Sequence, residues 1–222
     1  MFEKDIIKTS QGTLEITFIG HGTLMFLFND KVIHVDPWSR LADYSALPKA
    51  DIILITHDHM DHLDPGVLKI MRKETTDIII PEVCAEKIKG GIIMRNGDSR
   101  TIHGFDIKAV PAYNLVNMRN GGIPFHPKGI GNGYVITFED KHVYIAGDTE
   151  NIPEMNDLKN IDIAFLPMNL PYTMTPEMVA DAVRTLKPTI AYPYHYGETD
   201  ISVLTNLLEN ENGTEVRIRQ MQ

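Results

Sequence analysis

Cysteine is almost missing from this chain: one, Cys84, stands among 222 residues, so no intrachain disulfide can form and stability has to come from a packed core. Cys84 lies in Pro81-Glu82-Val83-Cys84-Ala85 with no activating partner beside it, and it reads as a core position, not a nucleophile. Tryptophan is equally scarce, and Trp38 and the methionines read as packing residues. Long apolar runs are missing too. Nothing approaches the roughly 18 consecutive apolar residues of a membrane span, and Met1-Phe2-Glu3-Lys4-Asp5 has neither the basic start nor the apolar stretch of a secretion signal. A cytoplasmic protein without a membrane span is therefore expected. Positive charge is also in deficit. A net charge of −9 at pH 7 speaks against a broad phosphate-binding face, so a small-molecule substrate is expected and a nucleic acid is not.

What remains is the composition of an ordinary globular protein, 43% hydrophobic and 23% charged, in a length that suits one domain over residues 1–222. Against that background one stretch stands out. The apolar run Ile52-Ile53-Leu54-Ile55 leads straight into Thr56-His57-Asp58-His59-Met60-Asp61-His62. Such crowding of imidazoles and carboxylates suits a divalent cation, which takes neutral ring nitrogens and carboxylate oxygens as ligands. On an extended segment His57 and His59 point the same way. Asp61 and His62 follow the bend and can face a second point nearby, so one or two ions per chain become possible. Asp64-Pro65-Gly66 then reads as a helix cap followed by proline at the first helical position. The ligand loop is thereby held between a buried strand and a capped helix.

The rest of the chain alternates strands and short helices. Leu14–Ile19, Leu24–Phe28 and Lys31–Asp36 read as a β-meander, with Gly20-His21-Gly22-Thr23 as a turn that could bring His21 to the site. Residues 65–73 read as a helix, 77–80 as a buried strand, 83–89 as a second helix, and 92–94, 100–103 and 105–110 as further strands. Residues 112–133, rich in glycine and asparagine, read as a long loop. The second half echoes the first. Phe138-Glu139-Asp140-Lys141-His142-Val143-Tyr144-Ile145-Ala146-Gly147-Asp148 parallels Phe28-Asn29-Asp30-Lys31-Val32-Ile33-His34-Val35-Asp36, and each is followed by an apolar strand, from Asp51 and from Asp162. Thr175-Pro176-Glu177 opens a helix with one apolar stripe, 189–192 is a strand, 201–208 a final helix and 215–218 a closing strand. Two similar halves packed sheet to sheet, with helices outside, fit this repeat.

The His-x-His-x-Asp-His stretch resembles the signature of the metallo-β-lactamase superfamily. That resemblance implies a four-layer αββα sandwich of the α/β class and metal-assisted hydrolysis. It also implies the remaining site residues. Asp36, ending an early strand, would hydrogen-bond the backbone of the histidine loop. Asp148 would be a carboxylate shared by two ions, and His195 the last histidine ligand. The first ion's ligands would then be His57 and His59, the second's Asp61, His62, Asp148 and His195. Where the family usually places one more histidine this chain has Asn114, a weak zinc partner, and His126 on the following loop is the alternative. Zinc is the expected metal, with manganese or iron as alternatives.

Gly20-His21-Gly22-Thr23, Leu166-Pro167-Met168-Asn169 and Tyr172-Thr173-Met174 look most like the lactonase-like branch, the ascorbate-6-phosphate lactonase type. A metal-bound hydroxide would attack a lactone, ester or phosphodiester, and Asp61 would orient or shuttle the proton. His21, Lys128, Tyr194 and Tyr196 are candidates for the substrate pocket. The competing expectations are a nuclease of the same superfamily and a non-catalytic metal-binding or sensing protein.

Overall fold

The computed structural model describes residues 2–222. The chain opens with β1 (Glu3–Thr9), β2 (Gly12–Gly20), β3 (Thr23–Phe28), β4 (Lys31–Val35) and β5 (Ala50–Leu54). Helix α1 (Pro65–Met71) leads to β6 (Arg72–Ile80) and β7 (Ile92–Ile93). Next come β8 (Ser99–Ile102), β9 (Phe105–Ala112), the short hairpin β10 (Met118–Arg119) and β11 (Ile123–Pro124), then β12 (Gly131–Phe138) and β13 (Lys141–Ile145). β14 (Ile163–Pro167), α2 (Pro176–Leu186), β15 (Ile190–Tyr194), α3 (Ile201–Leu207) and β16 (Glu215–Val216) complete it.

Two seven-stranded sheets result, one in the order β1-β2-β3-β4-β5-β6-β7 and the other β16-β15-β14-β13-β12-β9-β8. The two are built alike. Each has antiparallel strands on one side and turns parallel at β4–β5 and at β13–β14. The likeness reaches single side chains. Asp51 accepts from the Val32 amide at 3.0 Å and Asp162 from the His142 amide at 2.8 Å, while Lys31 and Lys141 approach the same two carboxylates at 3.5 and 3.7 Å. The echo in the sequence is thus a structural repeat.

The inner faces of the two sheets share one core. Phe18, Phe26, Phe138, Phe165 and Tyr192 meet there, with Phe165 and Tyr192 stacked at 5.0 Å between centroids and 11° between planes. α2 lays Val179, Ala180, Val183 and Leu186 on the outside of the second sheet. α1 lays Val67, Leu68 and Met71 on the outside of the first, over Ile53, Ile55 and Ile78. This is the αββα layering, in the α/β class.

Some element expectations need correction. Residues 83–89 do not make an α-helix: only a single 3-10 turn forms, Glu82–Cys84. The segment is hemmed between Pro81 and Gly90-Gly91, too short to offset the cost of helix nucleation. It still buries Cys84 and Ile88. The loop at 112–133 is interrupted by the β10–β11 hairpin and ends early, because β12 begins at Gly131. β1, an edge strand with mostly exposed residues, has too little apolar alternation to be seen in the sequence. No helix among the described residues is long and apolar enough to cross a membrane.

Candidate metal centre

The loops that follow β5, β13 and β15, together with the β2–β3 turn, gather at one edge of the sandwich, where the parallel strands end. The histidine loop is stapled there by its backbone. Thr56 donates its amide to Asp36 Oδ1 at 2.8 Å, and its carbonyl accepts from the Asn132 amide at 2.8 Å. A tight turn follows, with the amides of His62 and Leu63 both bonded to the His59 carbonyl. Asp64 then caps α1 through the amides of Gly66 and Val67, ahead of which Pro65 sits at the first helical position.

The hydrogen bonds behind the imidazoles determine which ring nitrogen faces the centre. Thr56 Oγ1 donates its only hydrogen to Asp36 Oδ2 at 2.5 Å, so at 3.0 Å from His57 Nδ1 it can only accept. The proton of His57 therefore sits on Nδ1 and the lone pair on Nε2. Asp36 Oδ2 likewise accepts from His62 Nδ1 at 2.8 Å. Asn114 Oδ1 accepts from His126 Nδ1 at 2.8 Å, and the Asn169 amide group lies 3.3 Å from His195 Nδ1. All four rings turn Nε2 to one place, and those of His57, His62 and His126 are fixed there by an oxygen that accepts from Nδ1. Such outer-atom support is how ligand histidines are oriented.

Two groups result. His57, His59, His126 and Asp148 offer donor atoms all within 4.8 Å of one another, and so do His21, Asp61, His62 and His195. Asp148 stands between them. Its Oδ2 lies 3.3 Å from His126 Nε2, 3.8 Å from His57 Nε2 and 3.6 Å from His195 Nε2, while Oδ1 is 3.5 Å from His62 Nε2. His59 Nδ1 is 3.0 Å from His57 Nε2. Ligands bonded at about 2.0–2.1 Å to a tetrahedral ion stand roughly 3.4 Å apart. The observed spacings bracket that value. His62 Nε2, His126 Nε2, His195 Nε2 and Asp148 Oδ1 are also buried without a hydrogen-bond partner. Buried polar atoms without partners are costly, and several lone pairs converging on one volume are the donor set of a cation. The residues present fit a metal.

The field tells the same story. Burial pushes the His62 imidazole down, but Asp148, Asp36 and Asp61 outweigh it and raise its pKa to about 9. A site where the surrounding carboxylates draw a proton onto Nε2 draws a divalent cation more strongly. Burial opposes ionisation of Asp148 as well, yet the histidines around it hold its pKa well below the usual carboxylate range. Asp61 is held low in the same way, against burial, by His195 and His21.

The backbone bends to permit this. Asp36, His21 and His195 take left-handed conformations, with φ of 43°, 50° and 48°. Gly22 is required by space: a Cβ there would stand 2.8 Å from His62 Cε1.

The structure brings His57, His59, Asp61, His62, Asp148 and His195 together, adds His126 and His21, and places Asp36 behind them. Other expected residues fall elsewhere. Asn114 does not face the centre: its oxygen is occupied by the backbone and ring of His126 and its NH2 by Glu150 and the Tyr172 carbonyl. Lys128 turns away to Glu154 at 2.6 Å and the Tyr113 hydroxyl, because the buried Glu150 and the His126 anchor leave it on the loop's outer side. Tyr194 is buried between the sheets, its hydroxyl accepting from the Gly147 amide. Tyr196, also buried, donates to the Arg219 carbonyl. Neither tyrosine lines the cleft: β15 aims Tyr194 into the core, and Tyr196, two residues past that strand, is held there by the chain's last residues.

A cleft of about 540 Å³ opens over the centre, bounded by His59, Met60, Asp61, Arg119, Phe125 and Tyr172 among others. Arg119, Phe125 and Tyr172 were not expected. Arg119 and Phe125 arrive on the β10–β11 hairpin and the residue following it, and no short-range pattern announces that. Glu150 was also missed. It is 1% exposed and accepts from the amides of Leu115, Val116 and Asn117, fixing the strap that carries Asn114. Its position two residues after Asp148 was the only available signal.

Comparison with known proteins gives the family and the fold. The family model for the β-lactamase superfamily domain matches residues 15–195. The UPF0173 metal-dependent hydrolase of Pelotomaculum thermopropionicum is 30% identical over 220 residues, covering 92% of this chain and 96% of its own. That of Enterococcus faecalis is 33% identical over 194 residues, 82% of this chain and 86% of its own. Among solved structures, a protein of Parabacteroides distasonis described as a metal-dependent hydrolase superposes with a TM-score of 0.95, at 50% identity over 100% of both chains. A metallo hydrolase of Ignicoccus hospitalis superposes with a TM-score of 0.77, at 27% identity over 94% of this chain and 96% of its own.

Proposed function

The chain belongs to the β-lactamase superfamily, and from that premise we propose that it is a metal-dependent hydrolase that opens a lactone, ester or phosphodiester bond in a small molecule. The observation that carries this reading is the convergence of Nε2 atoms from His57, His62, His126 and His195 on Asp148.

His57, His59 and His126 with Asp148 would hold one ion. Asp61, His62 and His195 with Asp148 would hold the other, with His21 in reach. Zinc suits these nitrogen-rich sets, and manganese or iron are the alternatives. When bound, the ions would supply Lewis acidity and lower the pKa of a coordinated water towards 7. The chain's own groups do the rest. Asp61, partly exposed at the cleft and 3.0 Å from His21 Nε2, would orient the attacking water or shuttle its proton towards the leaving group. Asp36 keeps the histidine loop from shifting. Phe125 and Tyr172, edge to face at 5.0 Å, wall the cleft and limit water on that side.

The non-catalytic reading rested on the gap left by Asn114, and His126 offers a donor in that gap. The nuclease reading has little to support it in a chain of net charge −9.

Elemental mass spectrometry of protein purified without chelator, followed by zinc or manganese loading and panels of lactones, esters and phosphodiesters, tests the proposal. Close to two ions per chain and turnover abolished by Asp148→Ala are expected. A loaded protein that hydrolyses nothing in the panels would sink it.

A further inference from the structure

Among the described residues, Arg119 is the one lysine or arginine that borders the cleft. Among the described residues no carboxylate lies within ion-pairing distance of it. The hydrogen bonds its side chain makes are long, to His59 Nε2 at 3.4 Å and the Phe125 carbonyl at 3.5 Å. The first of these is a poor partner. His59 Nδ1 converges with His57 Nε2, so with an ion bound Nδ1 would be its ligand atom and Nε2 would carry the proton. Two donors then face each other, and the guanidinium has no acceptor on that side. Its carbon stands 5.4 Å over the Phe125 ring, a contact that keeps it beside the centre while leaving the N–H groups available.

The other cleft residues are consistent with one kind of ligand. Asp58, also on the cleft's lining, is ion-paired with Lys87 at 2.7 Å. Tyr172 and Met60 present exposed apolar surface on the cleft. Two divalent cations, where bound, would offset Asp36, Asp61 and Asp148, so that these carboxylates would not serve as the counter-charge of Arg119. Guanidinium is also the side chain best shaped to take a carboxylate or phosphate with two parallel hydrogen bonds.

We propose that Arg119 is a specificity-determining residue that binds an anionic group, a carboxylate or a phosphate, on a substrate whose apolar part lies against Phe125 and Tyr172. The proposal rests on the hydrolase reading for the site, but concerns which hydrolysable molecules enter it.

Binding separates the two. Phenylphosphonate and its neutral diethyl ester are titrated calorimetrically into zinc-loaded wild type, Arg119→Ala and Arg119→Lys, with zinc content measured for each. Phenylphosphonate should bind at least tenfold more weakly to Arg119→Ala at unchanged zinc content, with Arg119→Lys in between. The diethyl ester should show a change several-fold smaller. A phenylphosphonate affinity in Arg119→Ala within twofold of wild type, or no measurable binding to wild type, overturns the assignment and leaves the hydrolase reading standing. Absence of zinc from wild type counts against the hydrolase reading instead, and the same tenfold criterion is then applied to the metal-free proteins. Where esters are turned over, the ratio of kcat/KM for p-nitrophenyl hemisuccinate over p-nitrophenyl acetate should fall at least tenfold in Arg119→Ala.

Discussion

Asn114 and His126 are bonded twice: the Asn114 side-chain oxygen accepts from the His126 amide at 2.7 Å and from its ring Nδ1 at 2.8 Å. The asparagine that stands where another ligand was sought thus fixes the tautomer and the aim of a histidine further along the loop. Replacing it should loosen one metal group and spare the other. In Asn114→Ala we expect metal affinity for one ion per chain to fall by about 10–100-fold, the usual effect of removing a ligand's supporting partner. Competition with a chelator of known affinity measures this. Equal weakening of both ions would argue against a selective role.

Gly22 gives a steric test. A methyl group at this position would stand 2.8 Å from His62 Cε1 and 3.5 Å from His195 Cδ2, so Gly22→Ala must displace a ring. Activity and zinc content should both drop, while far-ultraviolet circular dichroism stays that of wild type. Wild-type metal content in this variant would show that the rings have room to move.

Metal binding should also be visible as stability. A ligand at about 100 times its Kd that binds the folded state alone adds about 2.7 kcal/mol, which for a domain of this size raises Tm by roughly 5–10 °C. Calorimetry with excess zinc, and again with chelator, checks this. Trp38, whose ring lies 5.4 Å from His21, offers a second readout, because its fluorescence should change as the His21 group is loaded. No Tm difference between the two states would contradict a built metal site.

His34, far from the ligands, makes a pH prediction. Burial pushes its pKa down to about 4, against the small opposite pull of the Pro48 carbonyl. Between about pH 4 and 6.5 the unfolded chain therefore binds a proton that the folded chain does not, and stability falls as pH falls through that window. A shift of this size corresponds to a stability penalty of about 3 kcal/mol, absent above about pH 6.5 and fully developed below pH 4. Urea denaturation of metal-free wild type and His34→Gln should show the variant gaining on wild type by about that amount between pH 7 and pH 4. Parallel curves would refute it.

Lys128 is expected to be dispensable for turnover. It is ion-paired with Glu154 at 2.6 Å and stacked at 4.8 Å over Tyr113, outside the cleft. Lys128→Ala should leave kcat/KM within threefold of wild type and cost at most about 1 kcal/mol of stability, as exposed ion pairs do. A rise of tenfold or more in KM would place it back in the pocket.

What the sequence determined on its own was everything written in short-range pattern. Residues 52–62 carry both the buried strand and the ligand spacing, Asp64-Pro65 states where the helix begins, and the repeated Asp–Lys–Asp framework of the two halves dictates two like sheets, because each is a local match between residue type and backbone. Asp36, Asp148 and His195 were legible because each ends a strand in the chain order the resemblance implies. The tertiary structure decided what depends on distance in space. His126 becomes a donor because Asn114 and the buried Glu150 fold the strap back over Asp148, and no periodicity encodes that return. Arg119 and Tyr172 meet at the cleft from separate loops. Tyr194 and Tyr196, adjacent to His195 in sequence, point into the core because the hydrogen bonds of β15 and of the chain's last residues aim them there. Proximity along the chain could not foretell that direction; only the packing of the two sheets assigns it.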